Sequence, residues 1–220
     1  MLESNKINIA DTKQVDDIYK YYKETYWSEQ GWVLIDSDNI KKLFTDFNKT
    51  APELVHKPSS QLSQAFYEKA LKENPTQRVI LMAWGGWSWK SEWLLNVINK
   101  EWPAIIFDWT GKNFDKQIKN YELALAQWKN PEIQGVWVDF RKAVEFNNAR
   151  ERVVPLDILE DTHAWFRETT LRILEERPDI NVSLVKNAGL MIEETWDFIF
   201  FKIPKERQIE FMKNNQTLEY

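Results

Sequence analysis

The stretch Arg78-Val79-Ile80-Leu81-Met82-Ala83-Trp84-Gly85-Gly86-Trp87-Ser88-Trp89-Lys90-Ser91 constrains this chain more than any other. An apolar run leads into a turn of small and aromatic residues closed by Lys-Ser. The spacing is that of the phosphate-binding pattern G-x-x-x-x-G-K-[ST], but Trp84 and Trp89 stand where its two glycines belong. Such a loop curls consecutive backbone N–H groups around phosphate oxygens, and glycine supplies the positive φ angles and close approach this requires. An indole at either position fills the space meant for phosphate. As written, the loop binds no nucleotide. It is inactive, or the match is accidental, or the native protein carries other residues there.

Composition bears on that choice. The chain has 12 Trp and only 6 Gly in 220 residues, where ordinary usage of about 7% would give roughly 15 glycines. Several tryptophans also sit where turn chemistry asks for glycine: Trp109 in Asp108-Trp109-Thr110-Gly111, Trp128 just past a helical pattern ending Ala126-Gln127, and Trp196 between two extended runs. The codon UGA is read as Trp in some genetic codes and as Gly in others. Reading the gene with the wrong table would write Trp at a subset of true glycines, and this is the expectation for many of these positions. Trp32 and Trp137 lie inside strand-like runs and are read as genuine.

The remaining composition narrows the class. A balance of 29 basic to 34 acidic residues, net −5, argues against a general nucleic-acid or anionic-membrane surface. Without Cys, disulfides and thiolate metal sites are excluded, and His56 and His163 are too few for a histidine-built zinc centre. Both histidines are read as structural or surface residues. The polar start and the lack of an apolar stretch of membrane-span length lead to the expectation of a cytoplasmic protein.

Along the chain, strands and helices alternate. Residues 1–10 show no period and are expected to wander; Val15, Ile18, Tyr19 and Tyr22 then recur at helical spacing over Thr12–Tyr26. Strand-like runs follow at residues 32–35, 78–83, 103–107, 134–140, 180–185 and 197–203. Helical patterns fall near residues 59–73, 94–98, 113–127, 156–176 and 205–213. The first run ends in Asp36-Ser37-Asp38 and the third in Asp108, which places these acids at the carboxyl edge of a sheet, where open α/β folds bind ligands. The competing readings are a helix cap for Asp36 or Asp38 and a turn-stabilising contact for Asp108. Arg150 and Arg152, just before Val153-Val154-Pro155, have the character of a lid over phosphates, because the guanidinium fork can bridge phosphate oxygens. A solvated charged helix is the alternative.

Together, residues 84–91, Leu34-Ile35-Asp36-Ser37-Asp38, Ile106-Phe107-Asp108-Trp109-Thr110-Gly111 and Arg150-Glu151-Arg152-Val153-Val154-Pro155 resemble the zeta toxin family of P-loop kinases, over about residues 30–203. The resemblance implies ATP- or GTP-dependent phosphorylation of a sugar hydroxyl, with a UDP-N-acetyl sugar as acceptor. It implies Asp38 as the base, Lys90 on the phosphates, Arg150 and Arg152 on the transferring group, and Ser91 and Asp108 toward Mg²⁺. Residues Trp84, Gly85, Gly86, Trp87, Ser88 and Trp89 complete the nucleotide cradle. Two departures stand out: Asp36–Asp38 precede the phosphate loop, whereas in the family they follow it, and Asp108 replaces a glutamate.

The expected architecture is therefore a three-layer α/β/α P-loop NTPase-like sheet, mostly parallel. A helical extension is expected over residues 1–30 and a kinase-like domain over 31–220. A nucleotide, a small-molecule substrate and an antitoxin protein are the expected partners. Two further readings stay open: a P-loop kinase acting on a polynucleotide end or a metabolite, and a non-catalytic interaction domain with a degenerate loop.

Overall fold

The computed structural model describes residues 2–26, 33–48, 51–84, 104–108, 113–149, 153–191 and 198–215. Among them are strands β1 (Val33–Asp36), β2 (Arg78–Trp84), β3 (Ile105–Asp108), β4 (Asn130–Val138), β5 (Val182–Met191) and β6 (Phe198–Ile203). The helices are α1 (Thr12–Tyr26), α2 (Ser37–Lys41), α3 (His56–Glu73), α4 (Phe114–Ala126), α5 (Phe140–Asn148), α6 (Leu156–Glu176) and α7 (Gln208–Asn214). The strands form one mostly parallel sheet in the order β1-β3-β2-β4-β5-β6. This is a mixed α/β fold of the class expected.

The chain divides into two compact units. The first holds residues 1–80, 103–109 and 123–130. In it β1 and β3 run parallel in register, Val33 opposite Ile105 through Asp36 opposite Asp108. Val33, Ile35 and the apolar residues of β3 are buried, with the stacked rings of Tyr67 and Phe107 4.5 Å apart. Helix α1 buries the predicted face, Val15, Ile18, Tyr19 and Tyr22, and sets Tyr19 and Tyr22 about 5 Å from the ring of Phe66 on α3. Its bounds are those the periodicity predicts. Helix α3 starts three residues earlier than its pattern shows, and Pro58 falls in its first turn, where a missing N–H costs no helical bond.

The expectation that the first ten residues wander is not met. The Leu2 amide donates to Leu43 O at 2.8 Å, Thr45 N donates to Leu2 O at 2.7 Å, and the Ser4 hydroxyl meets the Asp46 carboxylate. Hydrogen bonds of this kind, between residues about forty apart, leave no periodic trace in the sequence.

The same unit contains the turn that closes α4. Trp128 N–H donates to Leu125 O at 2.9 Å and Lys129 N–H to Ala124 O at 3.1 Å, the paired bonds of a Schellman motif. Trp128 occupies the left-handed position with φ of 56°, the only non-glycine positive φ among the described residues, and its side chain is 88% exposed. The Lys129 ammonium then donates to Asn74 O and Thr76 O at 2.7 and 2.9 Å, tying this turn to the entry of β2.

The second unit holds residues 81–102, 110–122 and 131–220. Parallel pairing of β4 with β5 runs from Ile133 opposite Val182 to Val138 opposite Asn187, and β5 pairs antiparallel with β6. Strand β4 begins four residues before the predicted run and ends at Val138, so Phe140 opens α5 instead of closing the strand. Pro131 and Glu132 mask the start of that strand in the sequence. Strand β5 likewise runs on past Val185 to Met191, with a register shift that Gly189 accommodates at φ of 68°. Val138, Phe140, Ala143 and Leu159 form a buried cluster under Val144 and Phe146.

Candidate functional site

Acids end both strands of the first unit, as the sequence predicts, but their roles separate. Asp36 is the N-cap of α2: its carboxylate accepts the Asp38 amide at 2.9 Å. The capping role weighed for this residue is therefore real. Asp38 lies in the first turn of that short helix with its side chain two-thirds exposed, and its Oδ1 accepts from the Lys41 ammonium at 2.8 Å. A base for a hydroxyl proton has to reach its substrate, and the exposure of the Asp38 side chain is compatible with that. Asp108, opposite Asp36 in the register, is only 3% exposed. Among the described residues no three His, Asp or Glu side chains converge as a metal site.

The backbone that presents these acids is held by a residue to which the sequence pattern gives no special place. Tyr22, on the last turns of α1, is fully buried; its hydroxyl donates to Leu34 O at 2.8 Å and accepts the Asp36 amide at 3.2 Å. Burial pushes its phenol well above the ordinary tyrosine range, so it stays protonated at neutral pH. Nothing in the helical period distinguishes Tyr22 from Tyr19, because both lie on the buried face.

In the second unit, β2 ends at Trp84, the first position of the phosphate-loop pattern. The backbone of Trp84 is described and its side chain is not; Gly85, Gly86, Trp87, Ser88, Trp89, Lys90 and Ser91 lie outside the described residues. So do Trp109, Arg150, Arg152 and Trp196. What the fold does establish is where β2 stands. In the order of the sheet it comes between β3 and β4.

The flanks of the arginine segment are described even though Arg150 and Arg152 are not. Buried Asn147, near the end of α5, donates through Nδ2 to Val154 O at 2.8 Å and accepts Val154 N–H at 2.9 Å. One carboxamide thereby ties the end of α5 to Val154. Pro155 follows as N-cap of α6, as the Val-Val-Pro break predicts. At the carboxyl end of β4 Lys186 pairs with Asp139 at 3.1 Å and Lys142 with Glu145 at 2.6 Å, and Asp139, Arg141, Lys142 and Glu145 line an open cavity of about 490 Å³.

His163 has the structural role read from the sequence. It is buried on α6, and its Nε2 lies 2.8 Å from Val138 O, so the neutral ring donates there. Burial, the largest influence, holds its pKa below the ordinary value of 6.5. His56 is an exposed first residue of α3.

Comparison with the models of known families gives no match, and comparison with curated proteins gives none. Among the described residues no helix is long and apolar enough to cross a membrane.

Proposed function

We propose that this chain is an ATP-dependent phosphotransferase of zeta-toxin type, acting on a hydroxyl of a small molecule, with a UDP-N-acetyl sugar as the first acceptor to test. The observation that carries this reading is the strand that feeds the loop: β2 ends at Trp84, the first position of the pattern that runs on through Gly85-Gly86 to Lys90-Ser91. A strand feeding such a loop is the setting a phosphate cradle needs.

The reading requires glycine at 84 and 89 in the active protein, and the turn after α4 supports that premise independently. A Schellman motif is complete there in every hydrogen bond, yet carries an exposed Trp128 at its glycine position. The same substitution recurs in the loop. Once glycines are in place, Lys90 neutralises phosphate charge, and Arg150 and Arg152 stabilise the transferring group. Asp38 accepts the proton of the acceptor hydroxyl. The Ser91 hydroxyl and the buried Asp108 carboxylate are hard oxygen donors suited to Mg²⁺, which would offset the negative charge of the phosphates.

The test compares the chain as written with the Trp84→Gly/Trp87→Gly/Trp89→Gly variant. Mg²⁺ and ATP should raise the melting temperature of the variant and leave the chain as written unmoved; a variant that does not respond sinks the kinase reading in favour of a non-catalytic domain. In the nucleotide-binding variant, Asp38→Ala should abolish transfer, a loss of at least about a hundredfold for a general base, with ATP affinity kept. Surviving transfer would remove Asp38 from its role.

A further inference from the structure

Among the described residues strand β1 is the last strand on its side of the sheet, and no described strand pairs with its outer edge. Along a strand, alternate residues direct their N–H and C=O groups to opposite edges. Val33 faces β3, donating its amide to Ala104 O at 3.1 Å; Leu34 and Asp36 therefore face the outer edge. Left there, the Leu34 carbonyl and the Asp36 amide would need water or another chain. The Tyr22 hydroxyl meets both at once, donating to the carbonyl and accepting the amide.

We infer that Tyr22 is a positioning residue for the acid turn: its hydroxyl takes the place of a neighbouring strand and fixes the backbone from which Asp36 and Asp38 are presented. Each link from the hydroxyl to the acids is short. The hydroxyl holds the Asp36 amide, and the Asp36 carboxylate in turn holds the Asp38 amide at 2.9 Å, so the backbone of both acids is tied to the brace. The ring is held separately, 5.2 Å from Phe66 and 5.1 Å from Tyr26, so the hydroxyl can be removed without removing the packing. Helix α1 thereby carries the brace for the end of β1. The value of the brace to catalysis rests on the kinase reading above; the brace itself does not.

Tyr22→Phe separates the two. In the chain as written, NMR hydrogen exchange of the Asp36 amide should quicken by roughly tenfold or more, the loss of one buried hydrogen bond, while the Val33 amide on the β3 side of the same strand keeps its protection. An unchanged Asp36 amide overturns the brace. So does an equal loss of protection at both amides accompanied by a lower melting temperature, which would make the hydroxyl a general stabiliser. In the glycine-bearing variant, Tyr22→Phe should lower kcat with KM for ATP unchanged; unchanged kcat despite a faster Asp36 amide overturns the positioning role. If the glycine-bearing parent transfers no phosphoryl group, the kinase reading falls, and the brace stands or falls on the exchange result.

Discussion

Trp128 and Trp137 are the same residue type, nine positions apart, and the fold treats them in opposite ways. Trp137, inside β4, is 1% exposed and packs against His163, Phe166 and Phe211, with ring centroids 4.2, 6.1 and 6.2 Å away. Trp128 is 88% exposed and its backbone is left-handed, which disfavours any side chain with a Cβ. One position uses the indole; the other uses only the backbone, and uses it as a glycine would. The contrast shows that the tryptophan excess is not uniform in kind. It also gives a criterion for the loop at 84–91: a tryptophan at a position whose job is done by backbone N–H groups belongs with Trp128.

The most direct way to break the comparison is to truncate both. Trp137→Ala should cost about 3–5 kcal/mol in denaturant unfolding, the range for emptying a large aromatic site in a packed core. Equal, small losses at 137 and 128 would mean that the strand tryptophan is no more used than the turn one. Trp137→Phe should cost much less, since the Nε1–H of Trp137 is buried and finds no acceptor among the described residues. Next in size, Trp128→Gly should stabilise the chain by about 1 kcal/mol by relieving the left-handed backbone; a loss on this substitution would argue that the turn is suited to tryptophan. In protein purified from its native source, a peptide spanning Asn120–Lys129 with the mass of glycine at 128 would settle the residue directly.

The smallest effect sharpens the account of the Trp137 pocket through its neighbour His163. The folded pKa of this histidine lies below the unfolded value near 6.5, so below that pH the unfolded chain takes up a proton that the folded chain resists. The contribution of the neutral ring is full above about pH 6.5 and is lost as pH falls toward and through the folded value. Unfolding midpoints should fall on acidification across this window, and His163→Gln should flatten that part of the slope. The facing charged groups Asp139 and Arg167 act in opposite directions on the ring and are smaller influences than burial.

Comparing the acids gives a second lesson about what was legible. The placement of Asp36, Asp38 and Asp108 at strand ends followed from apolar runs that stop at an acid, and the structure puts Asp36 and Asp108 opposite one another in the register. Their division of labour did not follow, because capping by Asp36 depends on the φ and ψ of one residue and on the direction of one carboxylate. The lid character of Arg150 and Arg152 rested on residue type; the paired bonds that Asn147 makes with Val154 have no sequence signature, since any buried asparagine would look the same.

The sequence by itself determined the kind of each element. Helix α1 and helix α6 have the bounds that their 3.6-residue period predicts, and the buried strands announce themselves as apolar runs, because side-chain periodicity is a local property of the chain. It determined, too, that the Lys-Ser loop is chemically at odds with its own tryptophans. Only the tertiary structure decided the strand order of the sheet, the tether of Leu2 to Leu43 and Thr45, the hydroxyl of Tyr22 at the outer edge of β1, and the left-handed backbone beneath Trp128. The first three are contacts between residues distant in the chain, and the last is a backbone angle. Neither kind is encoded in the spacing of apolar residues.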